Sequence, residues 1–320
     1  MDLTQRGRGK WIIDFGVGMT IADAAKYEAP FEYIRARVKP ERDKNARESY
    51  RRQWWQHVEA RPAMRECLMP LARFLCTCRV SKHRLFVWLN IPTLPDSANF
   101  AFVRADDYFF GVLHSRIHEV WALAQGTQLR EKESGFRYTP STCFETFPFP
   151  FANDTAKDDP LHCVASLRAA HYHFGQDDVV QEEPLPIFPN EHRAAIAAAA
   201  KELNELRENW LNPPEWTREE IMEFPGTLGG PWDRFIDPAT ATERGAFKVG
   251  TVRYPRLVAR DPACAARLKD RTLTKLYNVW LAACHAKLDA AVAAAYGWPA
   301  ALTDEAILEN LLALNQAAAP

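Results

Sequence analysis

One continuous stretch, residues 106–150, constrains the fold of this chain more than any other part of it. Asp106 is a good N-cap for a helix predicted over 107–125, because its side chain can accept from the free backbone N–H groups of a first turn. Apolar residues recur at helical spacing there, and Gly126 can provide a left-handed stop. A polar loop with charges of both signs follows, and then an aromatic, proline-broken strand that ends at Pro150. This order of elements indicates a mixed α+β fold.

Length and composition indicate a water-soluble globular protein. The 320 residues are enough for two domains with their own cores, and 47% apolar with 25% charged residues is typical of such proteins. No apolar run approaches the ~20 residues that a membrane span needs, and the N-terminus lacks a signal-peptide core. Seven scattered cysteines, an odd number, favour reduced thiols. We therefore expect a cytoplasmic protein without a membrane partner.

The near-zero net charge conceals a difference between the two halves. Residues 1–150 carry 23 Lys/Arg and 17 Asp/Glu, a net of +6, whereas residues 151–320 carry 17 and 24, a net of −7. Within the first half, the run 35–61 holds nine basic and four acidic residues next to Trp54 and Trp55. This pattern predicts contacts with DNA phosphates, and a merely solvated face is the alternative. The phosphate candidates are Arg35, Arg37, Lys39, Arg42, Arg51 and Arg52.

Further elements are predicted on both sides of the first stretch. A buried strand over 11–15 leads into a glycine turn, an arginine-rich helix covers 44–57, and a second strand covers 84–89. After the acidic, proline-punctuated segment 152–190, a helix is expected over 191–211.

Gly and Pro interrupt residues 225–262, which we predict to be mostly irregular. The tail is predicted to be helical, with a last helix capped by Thr303. One apolar stripe of the tail is expected to be buried, and it consists of Leu273, Leu276, Tyr277, Trp280, Cys284, Leu288, Val292 and Tyr296.

Several segments, in order, resemble the MmeI-like family of restriction–modification enzymes. They are RGKWIIDFG (8–16), YEAPFEYIRARVKPER (27–42), WWQHVEARPAMR (54–65), SKHRLFVWL (81–89), DDYFFGVLHSRIHEVWAL (106–123), RYTPSTCFETFPFP (137–150), ELRENWLNPP (205–214), RTLTKLYN (271–278), HAKLDAAVAAAYGWP (285–299) and ILENLLALN (307–315). In that family such segments follow the methyltransferase domain. The resemblance implies a mixed α/β target-recognition domain over 1–151, an acidic linker or insertion over 152–190, and a small helical C-terminal domain over 191–320. The chain begins where the recognition domain should already be under way, which suggests a split gene or a fragment.

The resemblance also implies a function. It points to sequence-specific recognition of double-stranded DNA for a bacterial adenine-N6 DNA methyltransferase or restriction–modification system. Catalysis and S-adenosylmethionine would belong to a separate or missing methyltransferase polypeptide, with or without a nuclease. We accordingly expect no catalytic residue, cofactor site or metal ligand in this chain.

Base reading needs forked donors or acceptors on a rigid scaffold: Arg or Lys for guanine, Asn or Gln for adenine, and Glu or Asp for cytosine. The loop GTQLREKESGFRY concentrates such groups between a helix end and a strand, and a second set precedes the strand at 84–89. A solvated loop is the alternative interpretation. The reading candidates are Gln128, Arg130, Glu131, Lys132 and Arg137, with Lys82 and Arg84 as secondary ones.

Two segments resemble parts of a methyltransferase. Asp14-Phe15-Gly16-Val17-Gly18 is similar to the glycine turn that approaches S-adenosylmethionine, but the acid expected about 20 residues later is replaced by a basic run. Asn212-Pro213-Pro214 lacks the aromatic residue that stacks on a flipped base, and Glu215 stands there instead. A degenerate methyltransferase that uses the 14–18 turn therefore remains the alternative function, and a helical protein-interaction module is a third.

Signals for a nuclease or for zinc are weak. No Asp or Glu is followed two residues later by Lys, so the usual magnesium-nuclease motif is missing. His114 and His118 have the i, i+4 spacing of a zinc pair, but no third ligand is evident and Cys76-Thr-Cys78 has no matching pair. Partly buried or phosphate-contacting histidines are the favoured interpretation.

Overall fold

The structure is a computed structural model that describes residues 3–7, 9–128, 135–150, 191–244, 247–276 and 279–317. Helices and antiparallel strands are mixed along the chain, which confirms the α+β class. Two compact units are formed. The first contains Met1–Arg6, Pro70–Thr217 and Ala259–Pro320, and the second contains Gly7–Met69 and Arg218–Val258. No helix in the described ranges combines the length and the apolarity needed to cross a membrane.

The first unit contains two small sheets and a set of packed helices. Its strands are β1 (Arg73–Cys78), β2 (Val80–Ser81), β3 (Phe86–Asn90), β4 (Asn99–Phe102), β5 (Thr127–Gln128) and β6 (Phe136–Arg137). The sheet orders are β3-β1-β4 and β2-β6-β5. Its helices are α6 (Asp107–His114), α7 (Arg116–Gln125), α8 (Glu191–Leu211), α9 (Pro262–Lys269), α10 (Val279–Ala295) and α11 (Asp304–Ala317), with a π-helical turn at Pro140–Phe144 and a 3₁₀ turn at Leu273–Lys275.

An aromatic core holds the first unit together. Phe102 and Phe109 lie 6.0 Å apart, and both contact Phe144 edge to face. Phe149 stacks on Phe109 at 5.6 Å, so the proline-broken segment that was predicted to close the first module does pack into the core. Helix α8 lies against both α6 and α10, and its apolar stripe joins the same core.

The second unit combines five short helices with a three-stranded sheet. The helices are α1 (Ile21–Ala24), α2 (Glu28–Arg37), α3 (Lys39–Asp43), α4 (Glu48–Arg52) and α5 (Pro62–Leu68), and the sheet contains β7 (Thr217–Thr227), β8 (Ile236–Arg244) and β9 (Phe247–Ala259) in the order β7-β9-β8. The prediction that 225–262 is mostly irregular is therefore wrong. Gly226 is not a break in the strand, because it makes room for a neighbour: a Cβ there would lie 2.4 Å from Cγ2 of Val252.

Two helix predictions need correction in their bounds. The helix predicted over 107–125 is capped by Asp106 as expected, but it is divided at Ser115, whose backbone is extended and whose hydroxyl caps the second half. The stop at Gly126 has a φ of −79°, so it is not left-handed. The arginine-rich helix predicted over 44–57 is limited to the five residues of α4.

The predicted buried strand at 11–15 is wrong. The segment forms no strand, and Trp11 and Ile12 are 51% and 59% exposed. No strand among the described residues pairs with this segment, and its apolar side chains pack against other aromatic rings instead. Trp11 lies 6.0 Å from Trp232, and Phe15 packs near Phe31.

The apolar tail is helical but only partly buried. Leu288 and Val292 are fully buried, whereas Trp280 is 75% exposed, so the expectation of burial is wrong at that position. The stripe is interrupted because Leu273 lies in the 3₁₀ turn and α10 begins only at Val279. Tyr277 lies outside the described residues.

The two compact units are each built from segments that are not consecutive in the sequence. Residues 191–211 pack on the aromatic core of the first unit, and Thr217–Thr227, Ile236–Arg244 and Phe247–Ala259 are strands. The division into 1–151, 152–190 and 191–320 stays a prediction about the sequence. The linker itself falls outside the described residues.

Candidate nucleic-acid interface

The sheet β2-β6-β5 carries the exposed ends of the predicted reading loop. Its middle strand pairs with both neighbours, so that Val80, Arg137 and Thr127 lie in one cross-strand row. Directly paired residues point to the same face of a sheet, and all three side chains in this row are exposed. Arg137 therefore presents its guanidinium to solvent between two shorter neighbours.

Gly135 holds the start of β6 close to β2. Its φ is +82°, which residues with a side chain rarely adopt, and a Cβ there would lie 2.3 Å from the carbonyl oxygen of Ser81. The two strands can approach this closely only because position 135 has no side chain. Lys82 and His83 follow Ser81 in an exposed bend, so Lys82 stays a reading candidate on the surface.

Arg84 is not a surface residue, which corrects its assignment as a reader. Only 7% of it is exposed, and its guanidinium donates to the carbonyl oxygens of Cys78 and Phe136 and to the hydroxyl of Thr77. Burial lowers the pKa of Arg84. With its donors directed inward, this side chain cannot reach a base edge in the described conformation.

Most of the predicted reading loop lies outside the described residues. This applies to Arg130, Glu131 and Lys132 entirely, and to the side chain of Gln128, whose backbone pairs with Phe136 in β5. Of the first five reading candidates, the structure therefore places the side chain of Arg137 alone. The reading roles of all of them stay predictions.

The basic run forms the surface of α2 to α4 in the second unit. Arg35, Arg37, Arg51 and Arg52 are exposed, whereas Lys39 and Arg42 are half-buried. Lys39 pairs with Asp43 at 2.7 Å, and the Nη2 atom of Arg42 reaches the carbonyl oxygen of Gln56.

Two of the exposed arginines in this run are also engaged within the chain. Arg35 pairs with Glu32 at 2.7 Å, and Arg51 donates to the carbonyl oxygens of Asn45 and Ala46. For Arg37 and Arg52 no hydrogen bond or ion pair is found within the described ranges, so these two are the phosphate candidates with the most available charge.

Of the two tryptophans beside the basic run, Trp54 is buried and Trp55 is half-buried. Trp54 is 6% exposed and packs 5.3 Å from Phe31. Trp55 donates its indole N–H to the carbonyl oxygen of Met19. Trp54 is therefore not available for stacking on a base, whereas Trp55 is half-buried and held by its hydrogen bond.

The methyltransferase-like features serve structural roles. The 14–18 turn does not follow a strand, and Asp14 accepts from the backbone of Gly16 and from Arg65. The Asn212 side chain is held on both sides: its Oδ1 accepts from Nε of Arg6 at 2.8 Å, and its Nδ2 donates to Glu208. It lies directly after the end of α8, as expected for a helix stop.

The two histidines with zinc-like spacing are on different helices and are buried. Nδ1 of His118 lies 2.8 Å from the carbonyl oxygen of Leu113, so Nδ1 carries the proton and Nε2 accepts from the Tyr138 hydroxyl at 3.2 Å. Burial lowers the pKa of His118 to about 3. His114 contacts Arg207, and burial again lowers its pKa. No group of three His, Cys, Asp or Glu residues suited to a metal ion is found among the described residues.

The part of the chain that contains these surfaces is similar to a known protein family. Residues 31–151 match the family model described as the MmeI target recognition domain. A solved structure of the type IIL restriction–modification enzyme MmeI in complex with DNA is similar to this chain, with 17% identity and a TM-score of 0.46, over 88% of this chain and 25% of that one. This chain thus spans about a quarter of the length of that enzyme. No curated protein gives a match.

The matched segment contains both surfaces described above, the basic run from residue 35 and the sheet that carries Arg137. Over residues 31–151 this chain is similar to the MmeI target recognition domain.

Proposed function

We propose that this chain recognises a specific double-stranded DNA sequence for an adenine-N6 DNA methyltransferase or restriction–modification system. The match of residues 31–151 to the MmeI target recognition domain carries the proposal. The MmeI enzyme that this chain resembles was solved in complex with DNA. Catalysis and S-adenosylmethionine would then belong to a separate or missing methyltransferase segment, and the expected location is the cytoplasm of a bacterium.

Arg137 is the best base-reading group that the described residues offer. A guanidinium can donate two parallel hydrogen bonds to O6 and N7 of guanine in the major groove, and a β-ribbon is narrow enough to enter that groove. The row of Val80, Arg137 and Thr127 provides such a ribbon face, with one forked donor between two short side chains. Gln128, Arg130, Glu131 and Lys132 continue the same loop in sequence, and Lys82 lies in the exposed bend beside β2.

Nonspecific affinity would come from the basic run. Arg37 and Arg52 are exposed cations without an ion-pair partner in the described part of the chain. Each phosphate contact releases condensed counterions, so binding through these residues weakens steeply as the salt concentration rises. The run therefore supplies sequence-independent attraction, while Arg137 supplies discrimination.

Selection from a randomised duplex pool tests this function directly. The chain, together with its methyltransferase polypeptide, is expected to recover one DNA word, and Arg137→Gln should change the preferred base at one position. A lost bidentate contact reduces discrimination by about 1–3 kcal/mol. Arg130→Ala and Lys132→Ala should alter other positions of the word, while Lys201→Ala, an exposed change on α8, is the matched control. Recovery of random DNA by the unmodified chain would contradict the proposal.

A degenerate methyltransferase is distinguished by its cofactor. Because Asp14 is bonded to Arg65 and Gly16, we expect calorimetry to show no binding of S-adenosylmethionine by the isolated chain. Stoichiometric binding at micromolar cofactor would favour that alternative.

One observation favours a protein-interaction role for the tail. Val279 and Trp280, at the start of α10, are 84% and 75% exposed, which is unusual for large apolar side chains. Trp280→Ala should then weaken co-purification with the methyltransferase polypeptide, and unchanged recovery would contradict this role.

A further inference from the structure

Arg84 lies beneath the strand that carries Arg137. Its Nη1 donates to the Thr77 hydroxyl at 3.1 Å and to the carbonyl oxygen of Cys78, and its Nη2 reaches the carbonyl oxygen of Phe136 at 3.3 Å. One planar group therefore connects the end of β1 to the residue directly before Arg137. A guanidinium can make such bonds simultaneously because its donors are fixed in one plane.

Two aromatic rings of the same segment cover the guanidinium. Its carbon lies 4.8 Å from the centre of the Phe136 ring and 5.0 Å from that of Tyr138. The Tyr138 hydroxyl in turn contacts His118, whose ring is bonded to the carbonyl oxygen at Leu113. Both neighbours of Arg137 in the chain are thus fixed from the buried side, while Arg137 itself faces solvent.

Burying the Arg84 guanidinium removes a charge from water, which costs free energy, so this arrangement is not an efficient way to stabilise a fold. No carboxylate contacts Arg84 within the described part of the chain, so its buried charge is offset by carbonyl dipoles, by ring faces and by the more distant charge of Glu119. Replacing buried charged groups with apolar residues of similar size is often neutral or stabilising in proteins. Packing by itself would therefore be served equally well by a residue such as methionine, which cannot fix the direction of β6.

We propose that Arg84 is a positioning residue for base reading, which holds β6 so that Arg137 meets the DNA in one orientation. This inference rests on the proposed function. A reader must be held to within a fraction of an ångström for two hydrogen bonds to form on one base and fail on another. Gly135 acts with Arg84, because it lets β6 lie directly against Ser81.

The test compares specific and nonspecific DNA binding in four versions of the full chain. Arg84→Met keeps the length of the side chain without its donors, and Arg84→Lys keeps the charge without the planar fork. Arg104→Met is the matched control, since Arg104 also stacks on a buried ring, Phe109 at 5.0 Å, but pairs with Asp106 away from β6. Each is measured against the selected duplex and a scrambled duplex, over a salt series, after its melting temperature confirms that it is folded.

We expect Arg84→Met to lower the ratio of specific to nonspecific affinity on the order of tenfold, the loss of about one base contact. Affinity for the scrambled duplex and its salt slope should not change. Arg84→Lys should recover part of the ratio, and Arg104→Met should retain all of it. A purely structural role for Arg84 would instead reduce both affinities together.

Folded Arg84→Met with the wild-type ratio would overturn the inference and leave the proposed function intact. If the wild-type protein shows no sequence preference, both the inference and the proposed function are overturned. The wild-type protein is therefore measured before the variants. Should Arg84→Met fail to fold, Gly135→Ala takes its place, because a methyl group there must push β6 away from Ser81. Gly135→Ala should then lower the ratio of specific to nonspecific affinity without changing affinity for the scrambled duplex, and an unchanged ratio contradicts the inference.

Discussion

Asp14 and Arg65, 51 positions apart in the sequence, form a two-pronged ion pair in which Nη1 lies 2.7 Å from Oδ2 and Nη2 lies 3.3 Å from Oδ1. Oδ1 also accepts from the Gly16 backbone at 3.0 Å. Burial raises the pKa of Asp14, but the hydrogen bond and the charge of Arg65 outweigh it, and the pKa lies below its ordinary value. A carboxylate held in this way is a tether between the glycine turn and α5.

Loss of this tether should destabilise the protein. We expect Asp14→Asn to lower the free energy of unfolding by about 1–3 kcal/mol, because a charge-assisted pair is replaced and Arg65 is left without its partner. Since the folded pKa of Asp14 is depressed, its contribution is present above the unfolded pKa and is lost as pH falls through the folded one. Urea titrations at pH 7 and pH 3 measure this. The control is Asp43→Asn in the pair with Lys39, whose side chains are more exposed than those of Asp14 and Arg65, and equal effects of both changes would contradict the prediction.

Removing Arg37 and Arg52 together should weaken binding to every duplex to a similar degree. Two lost phosphate contacts should also reduce the slope of log affinity against log salt by nearly two. Affinity for the selected and the scrambled duplex is measured from low to moderate salt. Lys201→Ala with Lys269→Ala, two exposed cations outside the basic run, controls for net charge. An unchanged slope in the arginine variant would identify the run as a solvated face.

Truncation of two apolar residues of α10 should change the stability of the protein to very different degrees. Trp280→Ala should change the free energy of unfolding by less than about 0.5 kcal/mol, because the side chain is mostly exposed. Leu288→Ala, at a buried position of the same helix, should lower the free energy of unfolding by about 2–5 kcal/mol, because apolar contacts are lost and a cavity is left. Chemical denaturation measures the free energy of unfolding of both variants. A large decrease for Trp280→Ala would show that this face of the helix is covered.

Acid should destabilise the first unit through its buried histidines. His118 has a folded pKa of about 3, against about 6.5 for an unfolded histidine. Between these values the unfolded chain binds one more proton, so the free energy of unfolding falls as pH drops, by up to about 1.4 kcal/mol per pH unit. His118→Gln retains a donor and an acceptor but does not titrate. Between pH 6 and pH 4 it should reduce the slope of unfolding free energy against pH by the contribution of one proton, about 1.4 kcal/mol per pH unit. Identical slopes would mean that His118 is accessible to protons in the folded state.

Local patterns in the sequence were enough to locate much of the fold. The Asp106 cap, helix 191–211 and the strand near 84–89 were correctly predicted, because capping and apolar periodicity are properties of neighbouring residues. The long strands of 217–259 were not, since their Gly and Pro residues suggested irregular chain. Gly226 is needed there because a side chain would clash with Val252, a residue that comes close only when the sheet has formed.

The sequence by itself determined the two features on which the proposal of DNA recognition rests, a basic run over 35–61 and the ordered segments that resemble the MmeI-like family. Only the tertiary structure decided which of their side chains face solvent. Arg84 precedes β3 and Arg137 lies in β6, and the two side chains are chemically identical, yet Arg84 is buried under Phe136 and Tyr138 whereas Arg137 is exposed in a cross-strand row. The physical reason is that exposure is set by residues far apart in the chain, here β1, β2, α7 and β6, whose approach no local pattern records.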